Sequence, residues 1–455
     1  MSVRRTRQPV AGLEVAFFAS PIARREETEA SAAEVEGELR KVGEDLRTPA
    51  RVAVRTGADT TVQVAGHAGA GEAQAERPGR VFVPVPVVLT GGTEAQVLAW
   101  LDRQATAAAR EGGRALAPLL LALPHSNSLP ACLEILARLH TDGRGGRVAV
   151  VGRAGWSREL SAAAAAARVA GFMRSARIGL FGGPSEWLAA SSPDPETVRR
   201  VWGPEVVTIP LDEVVRACRA VLAEDVAGLR RQAAELMRRA EEVVEPEQDT
   251  LAGALALHRA LRGLVRRHRL DAVTVRCFDL LGPVSSTGCL ALSLLNDEGV
   301  TAACEGDLPA LLTMMVLGRL TDRAVFMANP SDLDEAAGTV TFAHCSVPLS
   351  LVRPFRLRSH FESGVGVGIE GRFGPGVVTV ARIGGRDLRE AEVFRGEVQT
   401  SGPGHREDLC RTQVTLAVGR TVVRRLLEAP LGNHHLIVPG DHVEAVLDCL
   451  ERVLA

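Results

Sequence analysis

Val300-Thr-Ala-Ala-Cys-Glu-Gly-Asp307 and Ala324-Val-Phe-Met-Ala-Asn-Pro330 flank a stretch, residues 308–320, that reads as one helix. Asp307 is placed as its N-cap, Pro309 falls in the first turn, and apolar residues fill much of the remainder. A strand, a helix of this length and a second strand predict a βαβ crossover with the two strands parallel and close neighbours. Glu305 and Asn329 then stand at the carboxyl ends of two such strands, where open α/β sheets bind ligands. A carboxylate in that position is read as a working group in preference to a surface charge.

Outward from this unit the chain divides into three textures. Strand patterns at 13–20, 51–55, 81–89, 117–123 and 148–151 alternate with helical ones near 26–46, 93–109, 129–140 and 157–173. They predict a first parallel-sheet domain over residues 1–175, with a loose tail at 1–12 and a polar surface excursion at 57–79. The pattern restarts at Arg177: helices at 211–243 and 248–267 and a strand at 271–276 precede the opening motif, giving a second α/β domain, 176–325, that carries Glu305. Beyond residue 335, short Val/Thr runs at 365–370, 376–383, 391–398 and 413–418 are separated by Gly turns. They predict a C-terminal antiparallel sheet or barrel in a third domain, 326–455, carrying His434. The chain closes with a strand at 435–438 and a helix presenting Val443, Val446, Leu447, Leu450 and Val453 on one face. The expected fold class is α/β, with two parallel-sheet (Rossmann-like) domains followed by a β-rich one.

Composition narrows the function classes. A formal net charge of −2 over 455 residues gives no general attraction to nucleic acid or anionic membrane. The run Arg262, Arg266, Arg267 and Arg269 reads as a solvated helix end. No signal-peptide run and no membrane span is found, so cytoplasmic placement is expected. The chain has no Tyr, which excludes Tyr chemistry. Its eight cysteines show no Cys-x-x-Cys and no zinc spacing, and read as thiols buried as small hydrophobes in a reducing compartment. Strand alternation turns Cys304 to the face opposite Glu305.

Several further stretches carry a pattern: Cys289-Leu-Ala-Leu-Ser-Leu-Leu-Asn-Asp-Glu298, Ala303-Cys-Glu-Gly-Asp307, Phe326-Met-Ala-Asn-Pro330, Leu357-Arg-Ser-His-Phe-Glu-Ser-Gly364 and Gly432-Asn-His-His-Leu-Ile-Val-Pro-Gly-Asp441. With Leu123-Pro-His-Ser-Asn-Ser-Leu-Pro130 and Gly182-Gly-Pro-Ser-Glu-Trp187, they make the chain resemble the L-fucose isomerase-like sugar isomerases over most of its length, most strongly from about residue 270 onward. The resemblance implies an aldose–ketose isomerase using Mn²⁺ or another divalent cation, held by a Glu, an Asp and a C-terminal His. The Glu falls on Glu305 and the His on His434. The Asp, 24 residues on from the Glu, falls on Asn329. His435, next to His434, points to the other face if 434–438 is a strand.

That departure bears on the chemistry. Moving a proton between C1 and C2 of an open-chain sugar passes through an enediol, and needs acid/base groups and a polarising cation. Asn can lend a carbonyl oxygen to a metal but brings no charge and takes no proton. Three readings stay open. A neighbour (Asp307, Asp332, Asp334 or His344) fills the place; or one carboxylate suffices, with water making the second transfer; or catalysis is lost and sugar binding kept. The rival function is therefore a non-catalytic sugar- or sugar-phosphate-binding protein. A lyase or epimerase using the same enediol logic is the third possibility.

Alternation places Arg356, Arg358 and His360 on one strand face. The resemblance assigns Arg358 and His360 to the distal end of the sugar, where Arg suits a phosphate, sulfonate or carboxylate. The Gly-rich turn before Ser185 and Trp187 can offer backbone N–H groups to oxyanions or hydroxyls. Asn127 reads as a helix cap or a ligand alongside His125, and His344 as a strand-end histidine within reach of substrate. The resemblance further implies a homo-oligomer, hexamer or trimer, with sites at subunit interfaces.

Overall fold

A computed structural model describes residues 11–20, 22–45, 51–54, 62–64, 79–402 and 406–454. The expected tail and polar excursion lie largely outside these residues. The chain packs as two units, Arg5–Ser175 with Leu447–Ala455, and Ala176–Val446.

The first unit is built on seven strands: β1 (Ala11–Phe18), β2 (Arg51–Val54), β3 (Val62–Val64), β4 (Val81–Val88), β5 (Arg114–Ala115), β6 (Leu119–Ala122) and β7 (Arg147–Val150). Their order is β3-β2-β1-β4-β6-β7, with β5 on β4, and every pair but β2–β3 is parallel. The central strand β4 is buried throughout although it contains Pro84 and Pro86. On its far side it pairs with β5 at Val81 and Phe82 and with β6 at Val87 and Val88. Both prolines fall in the gap, where no neighbour there asks for an N–H.

The C-terminal segment closes this unit with an ionic cluster. Arg147 meets Asp448 at 2.8 Å and Glu451 at 3.0 Å, and Arg452 meets Asp448 at 2.9 Å and Glu159 at 3.2 Å. Asp448 and Arg452 are buried. Removing one partner of a buried pair strands the other charge, so Asp448→Ala is expected to destabilise this unit by about 3 kcal/mol. Urea unfolding of the full chain checks it; a midpoint unchanged from wild type would show that the cluster contributes nothing.

The second unit holds the remaining strands: β8 (Arg177–Phe181), β9 (Glu205–Ile209), β10 (Glu242–Val243), β11 (Ala272–Val275), β12 (Thr301–Cys304), β13 (Phe326–Asp334), β14 (Thr339–His344), β15 (Val352–Arg358), β16 (Gly368–Phe373), β17 (Val377–Gly384), β18 (Glu390–Gly402), β19 (Thr412–Ala417) and β20 (His435–Pro439). A parallel sheet runs β12-β11-β8-β9, a small mixed sheet β10-β15-β16, and the other six strands close an antiparallel barrel, β13-β14-β19-β18-β17-β20. Fold class is therefore α/β with a C-terminal barrel.

Helix Leu308–Thr321 shows why the opening motif looks as it does. Residues Leu308–Leu317 are all buried, because the helix is flanked by β11 and β12 and by barrel strands β17 and β20. A helix covered on every side has no polar face to write into the sequence. The strand after it does not return to the parallel sheet: β13 pairs antiparallel with β14 and β20. This corrects the βαβ crossover expected from the sequence. The segment runs on to Asp334 and folds back through the turn to Thr339, and that hairpin, rather than the helix before it, sets its partners.

Candidate active site and metal centre

β12 ends at Cys304, and the backbone leaves the strand at once. Glu305 has φ +64° and Gly306 φ +75°. A Cβ on Gly306 would lie 2.4 Å from the Gly183 carbonyl oxygen and 2.6 Å from Pro184 Cα, so the turn is packed backbone against backbone. Ser185 N donates to the Glu305 carbonyl at 2.8 Å across the same contact. Strand alternation stops at this turn, which is why the expected separation of Cys304 from Glu305 fails. Cys304, Glu305 and His344 each bring one metal-ligating atom within 4.8 Å of the others.

Asp307 serves two elements. Its Oδ1 accepts from Ala310 N at 2.8 Å, the N-cap expected from the sequence, while its Oδ2 faces His434 Nδ1 at 2.9 Å. Arg382, fully buried, donates to the His434 carbonyl oxygen and, at 2.6 Å, to Ser191 Oγ. Gly432 leaves room for that guanidinium: a Cβ there would lie 2.2 Å from Arg382 Nη2. His434 is thereby held on both sides with Nε2 turned to Glu305 Oε1, 3.5 Å away. That separation is an ion pair without a hydrogen bond, and Nε2 stays buried and unbonded. His435 points away, toward Glu392, Phe342 and Phe394.

These contacts set the electrostatics. Burial works to raise the Glu305 carboxyl, but His434 and the Trp187 N–H outweigh it and bring it down to about 2. Trp187 Nε1 donates to Glu305 Oε2 at 2.6 Å. Burial lowers His434, yet Asp307 and Glu305 lift it to about 9. His344, buried and beside the charged His434, is pushed down to about 4 and is neutral near pH 7. Its Nδ1 lies 2.8 Å from Ser346 Oγ and 3.3 Å from Ser346 N.

A pocket with a cavity of about 60 Å³ is lined by Glu305, Asn329, His344 and His360, and also by Glu362. Asn329 Oδ1 is buried with no hydrogen-bond partner. His360 sits against Phe278, itself against Trp187, and its Nδ1 meets Ser363 Oγ at 3.0 Å. Ser185 is buried with an unbonded hydroxyl and does not line the pocket. Arg358 lies apart from the lining residues. Glu245 at 2.8 Å, Glu370 at 2.6 Å and Glu407 at 3.3 Å engage its guanidinium. The bonds to Glu245 and Glu370 hold it above its ordinary range although burial opposes them. Asp332 pairs with Arg406, and Asp334 accepts from Ala337 N, so neither faces Glu305.

Two features escaped the sequence. Glu362 stands two residues after His360 in a stretch singled out for its histidine and arginine, and the loop turns it to the pocket. Five cysteines scattered along the chain (277, 289, 304, 345 and 410) also line it, and Cys304 Sγ lies 2.9 Å from Cys277 Sγ. Spacing rules look for ligands close in sequence, and these meet only through the fold.

The donor set fits a divalent cation. Glu305 and Asn329 line the pocket, and His434 Nε2, fixed by the Asp307 carboxylate behind it, lies 3.5 Å from Glu305 Oε1; Nε2 and Asn329 Oδ1 are buried polar atoms otherwise unsatisfied. Among the described residues no single helix is long and apolar enough to cross a membrane.

No protein-family model matches the chain. It is 26% identical over 261 residues to a sulfoquinovose isomerase of Clostridium sp. (strain MSTE9), an alignment covering 54% of this chain and 56% of that protein. It is also 26% identical over 236 residues to a sulfoquinovose isomerase of Alkalicoccus urumqiensis, covering 50% and 52% respectively. The chain thus spans about half the length of the curated relatives it matches, and the aligned share is narrower than the spread of its motifs. The similarity is distant, and it is to sugar isomerases.

Proposed function

We propose that the chain is an aldose–ketose isomerase acting on a monosaccharide, with an anionic hexose such as sulfoquinovose as the first substrate to try. The observation that carries this reading is the Asp307–His434–Glu305 array, with its unbonded Nε2 3.5 Å from a buried carboxylate. Glu305, His434 and Asn329 would hold a divalent cation, Mn²⁺ or a related ion. When bound, such an ion supplies Lewis-acid polarisation of the two sugar oxygens.

The protein's own groups carry the protons. Glu305, ionised and held by Trp187, takes the C2 proton of the open-chain aldose, and the C–H electron pair forms the C1=C2 bond of an enediol as O1 gains a proton. The O2 proton then leaves and C1 is protonated, which gives the ketose with no net gain or loss. Glu362 is the second carboxylate on the pocket and serves the oxygen-side transfers, making good what Asn329 cannot do. His344 and His360 bind substrate hydroxyls.

Glu362→Gln is expected to lower kcat by about 10²-fold or more while metal content is unchanged. Equal kcat in the two proteins would remove Glu362 from the mechanism. The reading as a whole is tested by incubating the Mn²⁺-supplied protein with sulfoquinovose and a panel of aldoses in D₂O. A ketose product with deuterium at C1 supports it. Tight sugar binding without product on any aldose would favour the binding protein instead, for which the neutral Asn329 is the supporting observation.

A further inference from the structure

The proposed centre is short of negative charge. With Asn329 neutral, Glu305 is the one anion among its three ligands, whereas divalent cations in such sites draw on more. Nearby groups differ in whether they can replace the missing charge. Asp307 has both oxygens engaged, one on Ala310 N and one on His434, and stands behind the imidazole. Asp332 and Asp334 face Arg406 and a turn N–H. Glu362 lines the pocket but is solvent-exposed. Of the five thiols on the pocket, Cys304 is the one grouped with Glu305: it is buried, and its sulfur lies within 4.8 Å of ligating atoms of both Glu305 and His344.

We propose that Cys304 supplies the second anionic ligand, as a thiolate, so that this centre takes a borderline or thiophilic divalent ion such as Zn²⁺ or Co²⁺ in place of a purely hard one. This rests on the metal-site reading under Proposed function and adds the ligand that fixes the class of metal. A metal-bound thiol is deprotonated, and thiolate ligation selects Zn²⁺-type ions over Mn²⁺. Ligands sharing one ion sit about 2.0–2.3 Å from it, hence roughly 3–4 Å from one another, and the Cys304, Glu305 and His344 ligating atoms lie within 4.8 Å of one another. Cys277 Sγ lies 2.9 Å away and accepts from the Cys304 S–H, a bond that gives way when the sulfur ligates. The turn at Glu305, with its positive φ, brings the two consecutive side chains to one pocket.

The test is a Co²⁺ titration of the reduced full chain, following thiolate-to-cobalt charge-transfer absorption in the near ultraviolet, with bound Co²⁺ and Mn²⁺ counted separately by equilibrium dialysis. Wild type and Cys277→Ser are expected to show the band at about one Co²⁺ per chain. Cys304→Ser and Cys304→Ala should lose it and bind Co²⁺ at least tenfold more weakly, with unchanged circular dichroism. Stoichiometric Co²⁺ in wild type without the band overturns the thiolate and leaves the metal site standing. A band that survives in Cys304→Ser overturns it equally. Failure of both ions to bind wild type overturns both readings at once.

Discussion

Glu305→Gln should abolish divalent-metal binding and reduce kcat/KM for isomerisation by at least about 10³-fold, the scale of losing an acid/base group together with the ion that works beside it. The substitution keeps the size of the side chain and leaves an oxygen for the Trp187 N–H, now at 2.6 Å. It removes the charge that faces His434 Nε2 across 3.5 Å. His434 then retains Asp307 as its partner, and the ion loses its anchoring carboxylate. Metal analysis of the purified variant, beside Asn329→Asp, separates the two roles. Asn329→Asp is expected to bind Mn²⁺ more tightly than wild type, because it adds an anion where an unbonded buried amide oxygen stands. A Glu305→Gln protein that keeps metal and turnover would place the chemistry elsewhere in the molecule.

Gly306→Ala is expected to disrupt the site through the backbone. The residue has φ +75°, where a Cβ costs about 1–2 kcal/mol, and the added carbon would sit 2.4 Å from one backbone atom and 2.6 Å from another. Neither neighbour is the end of a flexible side chain, so the clash cannot be relieved by a rotamer change. Together with overpacking of about 1–3 kcal/mol, a loss of about 3–4 kcal/mol is expected, read as an earlier unfolding transition of the second unit. Where the protein still folds, the Ser185 N–Glu305 O contact, 2.8 Å in the present turn, should open and metal affinity fall with it. Gly374→Ala, with nothing within 4 Å of its added Cβ and no positive φ, is the control and should change neither property. An unaltered melting curve for Gly306→Ala would show that this turn has more freedom than its packing implies.

The helix that borders the candidate site was legible because its signals are local. Asp307 as N-cap, Pro309 in the first turn and the buried run from Leu308 come from helix chemistry, and the structure has the cap at 2.8 Å. The Val/Thr runs after residue 335 gave an antiparallel sheet or barrel; three of the four fall on barrel strands, while 365–370 overlaps β16 of the small mixed sheet. Local rules also misled. Alternation sent Cys304 away from Glu305 since nothing in the sequence announces that Glu305 itself adopts a left-handed turn. Arg358, legible as a cation on a strand face, is engaged by Glu245, Glu370 and Glu407, two of them distant in sequence.

The sequence by itself determined the α/β class, the antiparallel β-rich C-terminal part and the cap, since periodicity and turn residues are properties of neighbouring residues; Glu305 and His434 entered as a candidate pair through the resemblance. Only the tertiary structure decided which groups share the pocket. Asp307 orients His434 across 127 residues, five scattered thiols and Glu362 line one cavity, and β13 joins the barrel rather than the parallel sheet. Those outcomes depend on strand pairing and side-chain packing between distant segments, whose energies are set by partners that no local stretch of chain contains.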